Sequence, residues 1–170
     1  MGTGKQSDGN NFSFISDIAR LISSGDTKLM EKIGKMLTNS EEYFEENADR
    51  YDERFLDVEE DDPDTLMWIG LVDELSEHGY LYSVDWKCEA QDFKWALSQM
   101  KSDNVIPDME LDEDEDVVEW GKIINGKLPE HCICWVDIDS DSYELIIVTN
   151  EAFGKIAESA KNNGHRIVKF

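Results

Sequence analysis

HCICWVDIDSDSYELIIVT, residues 131–149, is the stretch from which the fold is read. Two runs rich in β-branched and aromatic residues, 132–138 and 143–149, flank an Asp-Ser-Asp-Ser connection. That is the pattern of a hairpin of antiparallel strands. Side chains alternate along a strand, so Cys132, Cys134, Val136 and Ile138 face one way and Ile133 and Trp135 the other. Leu145 and Ile147 likewise oppose Ile146 and Val148. With both faces apolar, both strands are predicted to be internal and covered on each side.

Downstream of the hairpin, Phe153, Ile156, Ala157 and Ala160 share a helical face, Gly164 stops that helix, and 165–170 closes the chain as a strand. Upstream, 80–86 alternates as a strand, 89–100 is an amphipathic helix with Trp95 off its stripe, and 104–112 is a loop around Pro107. Val117, Val118, Trp120, Ile123 and Ile124 then predict another helix, up to Gly126. The order β-α-(α)-β-β-α-β is that of a ferredoxin-like, split βαβ sheet. One tension accompanies this reading: the usual strand order leaves the first hairpin strand at an edge, whereas its pattern here is internal.

The first 79 residues read as helices. Phe14, Ile15, Ile18, Ala19, Leu21 and Ile22 mark the first, and Leu29, Met30, Ile33, Met36 and Leu37 a second capped by Thr27. A third starts at Ser40 with the aromatic stripe Tyr43, Phe44, Tyr51 and Phe55, and LMWIGLVDELSEHG, 66–79, is a core helix ended by Gly79. Residues 1–10 are small and polar and are expected to be a disordered lead-in. The predicted class is therefore α+β. The N-terminal helices, 11–79, pack on a four-stranded, mostly antiparallel, ferredoxin-like sheet, 80–170, as one continuous domain.

Of 170 residues, 39 are acidic and 16 basic, a net charge of −23. The acids cluster: 41–64 holds 13 against Arg50 and Arg54, 108–119 holds eight and no base, and Asp137, Asp139, Asp141 and Glu144 form a third group. Such a surface repels nucleic-acid phosphates and anionic lipid and attracts basic proteins over roughly a Debye length, about 8 Å. No apolar run approaches 18 residues and no signal-peptide pattern opens the sequence, so a cytoplasmic protein without a membrane span is expected. Cys88, Cys132 and Cys134 are expected to be buried free thiols.

Candidate chemistry is sparse. Asp137-x-Asp139-x-Asp141 opens like a calcium loop and, with Asp85, could ligate Mg²⁺ in a hydrolase. Ser142 stands where the loop needs glycine, and Val148 where it needs a bidentate Glu, so a solvated turn is the expectation and no metal or cofactor is predicted. His131, Cys132, Cys134 and Cys88 read as core and strand-end residues before they read as zinc ligands. His78, His131 and His165 lie in no nucleophile motif. Gly2-Thr-Gly4-Lys5 mimics a P-loop tail without its strand and helix.

Three segments together, DWKCEAQDFKWAL (85–97), VDIDSDSYELIIV (136–148) and GHRIVKF (164–170), resemble an uncharacterised bacterial domain family. The shared pattern is Asp85-Trp86-Lys87 before a helix, the Asp139–Tyr143 hairpin turn and the terminal strand ending in Phe170. The resemblance covers about the second half of the chain and implies a fold, without an established activity.

From charge and context the expectation is a non-enzymatic, acidic binding module. An immunity protein that occludes the basic cleft of a nuclease-type toxin fits best. Its partner-binding residues would be Glu45, Glu46, Asp49 and Asp52 on the third helix, Asp112, Asp114 and Asp116 on the second acidic stretch, and Trp120 as an aromatic anchor. The alternatives are a metal-dependent hydrolase built on Asp137, Asp139 and Asp141, and a housekeeping domain of unknown role.

Overall fold

A computed structural model describes residues 11–170. The expected lead-in and the Gly2–Lys5 likeness lie outside the described residues. The N-terminal part comprises α1 (Ser13–Ser23), α2 (Thr27–Thr38), α3 (Ser40–Glu46), α4 (Ala48–Asp52) and α5 (Pro63–Glu77). There follow β1 (Leu81–Asp85), α6 (Ala90–Ser98), α7 (Val117–Asn125), β2 (His131–Asp137), β3 (Ser142–Thr149), α8 (Asn150–Asn162) and β4 (Arg166–Lys169). The α+β class is as expected, with the N-terminal helices packed on a four-stranded antiparallel sheet.

The strand order is β1-β3-β2-β4, with every pairing antiparallel. Both hairpin strands are therefore internal, as their two-sided apolar pattern requires. The ferredoxin-like detail does not carry over. The closing strand β4 pairs with β2, so the first hairpin strand is covered at the edge that arrangement would leave open.

A consequence for layering follows from chain handedness. β1 runs parallel to β2 with β3 between them, and β3 runs parallel to β4 with β2 between them. Both crossovers step the same way across the sheet but leave from oppositely directed strands, so crossovers of one hand lie on opposite faces. The packing agrees. Val84, Ile133, Leu145 and Ile147 face α6 and α7 in one buried cluster, with Phe93, Leu97 and Trp120. Cys132, Cys134, Val136, Ile146 and Ile167 face α8, α1 and α5 in the other. A ferredoxin-like sheet carries both crossover helices on one face, whereas here α8 joins the N-terminal helices.

Within that second layer α5 is apolar almost all round, with Leu66 to Val72 and Leu75 buried or nearly so except for polar breaks after Val72. A helix of that kind must be enclosed. Asp62 caps it by accepting the Thr65 N–H, with Pro63 in the first turn. Gly79 ends it at φ +81°. Gly70 admits the Tyr51 hydroxyl, which a β-carbon there would meet at 2.9 Å.

Two local expectations fail. Asp26, not Thr27, caps α2, accepting from the Lys28 and Leu29 N–H groups at 3.0 and 3.1 Å. The third predicted helix is broken at Asn47 into α3 and α4, and Phe55 leaves its aromatic stripe. It sits at φ +60° and is 96% exposed, while Tyr43, Phe44 and Tyr51 stay buried.

Candidate functional site

The Asp85-Trp86-Lys87 segment builds the most distinctive surface feature. Asp85 closes β1, and its carboxylate accepts the Lys87 N–H at 2.8 Å while its carbonyl accepts the Cys88 N–H at 3.0 Å. This Asx-type turn stops the strand. The Trp86 N–H donates to the Asp141 carbonyl at 3.2 Å, so the residue is tied to the β3 side of the sheet although its ring projects beyond it. Trp86 is 52% exposed, and Lys87 Nζ lies 4.7 Å from its ring centroid.

Trp86 lines a cavity of about 490 Å³ whose apolar walls include Tyr143, Val117 and Val118. Its rim is acidic, with Glu89 on the α6 side and Glu113, Glu115 and Asp116 on the stretch before α7. That stretch is held in place from within. The Asp112 carboxylate accepts the Asp114 N–H at 3.0 Å, and the Asp112 carbonyl accepts the Glu115 N–H at 3.2 Å and the Trp120 indole N–H at 2.7 Å. Asp116 caps α7 by accepting the Glu119 N–H at 3.0 Å.

Trp120 is thus a correction. It is 1% exposed and packs on Phe93 with ring centroids 5.7 Å apart, so it is a core residue at the floor of the cavity and not an exposed anchor. Its place on a stripe with Val117 and Ile124 is a core position. The exposed aromatics of this layer are Trp86 and Trp95, the latter edge-on to Tyr82. Trp86 is the residue that composition and spacing pass over, and its signal is a large aromatic directly after a short edge strand.

The other predicted residues divide between roles. Glu45, Asp49 and Asp52 are exposed on α3 and α4. Among the described residues no cation lies within 4.0 Å of their carboxylates, whereas Glu46 is paired with Lys35 at 2.7 Å. Asp112 and Asp116 face solvent while bracing their own loop, and Asp114 is exposed. The two acidic stretches do not converge. The helices of the first pack in the α1/α5/α8 layer, and the second lies over the α6/α7 layer on the opposite face of the sheet.

Asp137, Asp139 and Asp141 do not assemble into a chelating group. Asp137 accepts the Asp139 N–H at 2.9 Å and lies 3.4 Å from Arg166, and Asp139 turns the chain at φ +58°. Among the described residues no group of three or more His, Cys, Asp or Glu side chains is placed to hold a metal ion. Glu144 is no part of that acidic end. It is 1% exposed and accepts from Ser83 Oγ at 3.0 Å and Ser142 Oγ at 2.6 Å. Cys132 and Cys134 are fully buried core thiols, and burial pushes the half-buried Cys88 up to about 11, so it stays protonated at neutral pH.

A second cavity, about 720 Å³, opens between the hairpin turn and α5. Its two arginines are already held, Arg54 by Asp73 at 2.7 Å and Arg166 by Asp137, which leaves little charge for an incoming anion. His165 stacks flat on Trp68 there, with centroids 4.2 Å apart and planes 9° apart.

The chain belongs to the family described as Domain of unknown function (DUF6630), whose model matches residues 15–170. The match takes in the N-terminal helices, for which the sequence resemblance had no counterpart. No curated protein and no solved structure matches the chain. Among the described residues no helix is long and apolar enough to cross a membrane.

Proposed function

We propose that this protein is a non-catalytic binding module whose acidic surface docks a basic protein. The specific form of the reading is a cytoplasmic immunity protein that covers the positively charged cleft of a nuclease-type toxin. The observation that carries it is the run Glu110, Asp112, Glu113, Asp114, Glu115 and Asp116. Among the described residues none of these six carboxylates has a cation within 4.0 Å, and the run borders an aromatic-walled cavity. Unpaired like charges crowded at one edge repel one another, and a basic partner relieves that cost while being steered in. Since the two acidic stretches lie on opposite layers, one interface takes one of them, and the cavity favours 110–116. The α3/α4 acids then act at longer range, on the encounter and not in the contact.

The test is recovery of a basic partner from the native host at low salt, followed by association kinetics across a salt series. Association should slow steeply with salt, and changing Glu113, Asp114 and Glu115 together to Gln, Asn and Gln should slow it further while leaving the fold intact. Association indifferent to both would reduce the acidic stretches to solvation.

A further inference from the structure

We propose that the cavity beside Trp86 is the seat for a single arginine side chain of the partner, an assignment that rests on the basic-partner reading above. The feature that needs explaining is an aromatic one. A tryptophan half-exposed at the end of an edge strand, its main chain fixed by the Asp85 turn and by its amide N–H on the Asp141 carbonyl, lines a cavity walled also by Tyr143, Val117 and Val118. Its chemistry is also declared within the chain, because Lys87 Nζ sits over the same ring at 4.7 Å. The indole face therefore accepts a cation.

Charge complementarity chooses the occupant. Glu89, Glu113, Glu115 and Asp116 surround the cavity, and among the described residues none has a cation within 4.0 Å. The complement to flat aromatic walls inside a carboxylate rim is a cation that is itself flat. A guanidinium stacks on indole and directs several N–H donors in its plane toward carboxylates, whereas an ammonium is a strongly hydrated point charge. Lysine would only duplicate Lys87. Arginine would displace that exposed neighbour and gain the rim as well.

Two capped pentapeptides, Gly-Arg-Gly-Arg-Gly and Gly-Lys-Gly-Lys-Gly, are the probes, titrated into the full chain at low salt while the indole N–H resonances are followed. The arginine peptide should move the Trp86 signal saturably and bind about three- to tenfold tighter than the lysine peptide. Trp86→Ala should abolish that preference, Trp86→Phe should reduce it, and Lys87→Ala should tighten arginine binding. Because the ring is half-exposed these variants should fold, which circular dichroism checks. Neutralising Glu45, Glu46, Asp49 and Asp52 together should leave the arginine preference unchanged. Equal binding of the two peptides, or indifference to Trp86→Ala, overturns the arginine seat and leaves the acidic-surface reading standing. Absence of any salt-dependent binding by either peptide counts against both.

Discussion

The imidazole of His165 lies flat on the indole of Trp68, joining the start of the last strand to the middle of α5. The same indole donates its N–H to the Asp137 carbonyl at 2.9 Å, at the end of β2. One side chain of the N-terminal half thus engages two strands of the sheet, and Phe14 of α1 also packs on His165 with centroids 5.9 Å apart.

Trp68→Phe keeps most of the packing but leaves a part-buried carbonyl without its donor. A loss of about 1–2 kcal/mol is expected, against about 3–5 kcal/mol for Trp68→Ala, which also opens a cavity. Urea unfolding checks both. No loss in Trp68→Phe would mean that the hydrogen bond to Asp137 contributes nothing.

A buried polar network gives the second expectation. Tyr43 donates its hydroxyl to Glu74 Oε1 at 2.6 Å, Arg50 lies 3.3 Å from the same oxygen, and Arg50 also pairs with Glu77. Burial first, and then the Glu74 carboxylate, push the Tyr43 hydroxyl far up, so it remains a donor at any accessible pH. Removing the acceptor by Glu74→Ala strands a buried hydroxyl and half a salt bridge, a cost of about 3 kcal/mol. Tyr43→Phe should cost about 1 kcal/mol, and the double variant should be less destabilised than the sum. Strict additivity in a double-mutant cycle would contradict the coupling.

The third concerns a close approach in the other layer. A β-carbon on Gly121 would fall 2.6 Å from Cδ2 of Phe170, inside any real contact distance. Phe170 is packed against Trp135 and Tyr143, with centroids 4.6 and 5.7 Å away. Gly121→Ala should therefore cost about 1–3 kcal/mol and change the near-ultraviolet dichroism of that aromatic group. Pairing it with Phe170→Ala should recover part of the loss. No recovery would place the strain elsewhere.

What the sequence made legible was what depends on local pattern. The two-sided alternation of 132–136 and 145–148 predicted internal strands, and the glycines at 79 and 164 stand at φ +81° and +80° where helices were expected to stop. What it hid depends on partners distant in the chain. β4 joins β2 through pairings such as Trp135 with Val168, a choice of edge that no local pattern encodes. Glu74 and Glu144 look like surface acids until Tyr43, 31 residues away, and Ser83, 61 residues away, supply their hydrogen bonds. Trp120, which charge context offered as an exposed anchor, is buried, and Trp86 is the half-exposed aromatic. One follows an edge strand that ends at Asp85, and the other sits on the inward stripe of α7.

The last expectation is a pH dependence centred on Asp26. Its carboxylate accepts the Tyr80 hydroxyl at 2.7 Å and the Lys28 and Leu29 N–H groups, and Lys101 lies 3.3 Å away. The Tyr80 hydroxyl, followed by the Leu29 amide, holds the carboxyl well below its ordinary value of 3.8. Burial and then Asp26 in turn push Tyr80 up to about 12. With the folded value below the unfolded one, the unfolded chain binds the proton first as acid is added. The stabilisation is therefore complete above 3.8 and is lost as pH falls through the folded value. Acid also relieves repulsion in a chain of net charge −23, an effect of opposite sign, so the difference from a variant is the quantity to measure. Asp26→Asn keeps a capping oxygen but cannot titrate. Its deficit relative to the parent, measured by urea unfolding from about pH 7 to about pH 2.5, should be constant at first and then narrow below about pH 4. A deficit that stays constant across the whole range would show that Asp26 titrates alike in the folded and unfolded chains, and that the Tyr80 hydroxyl does not favour its charge.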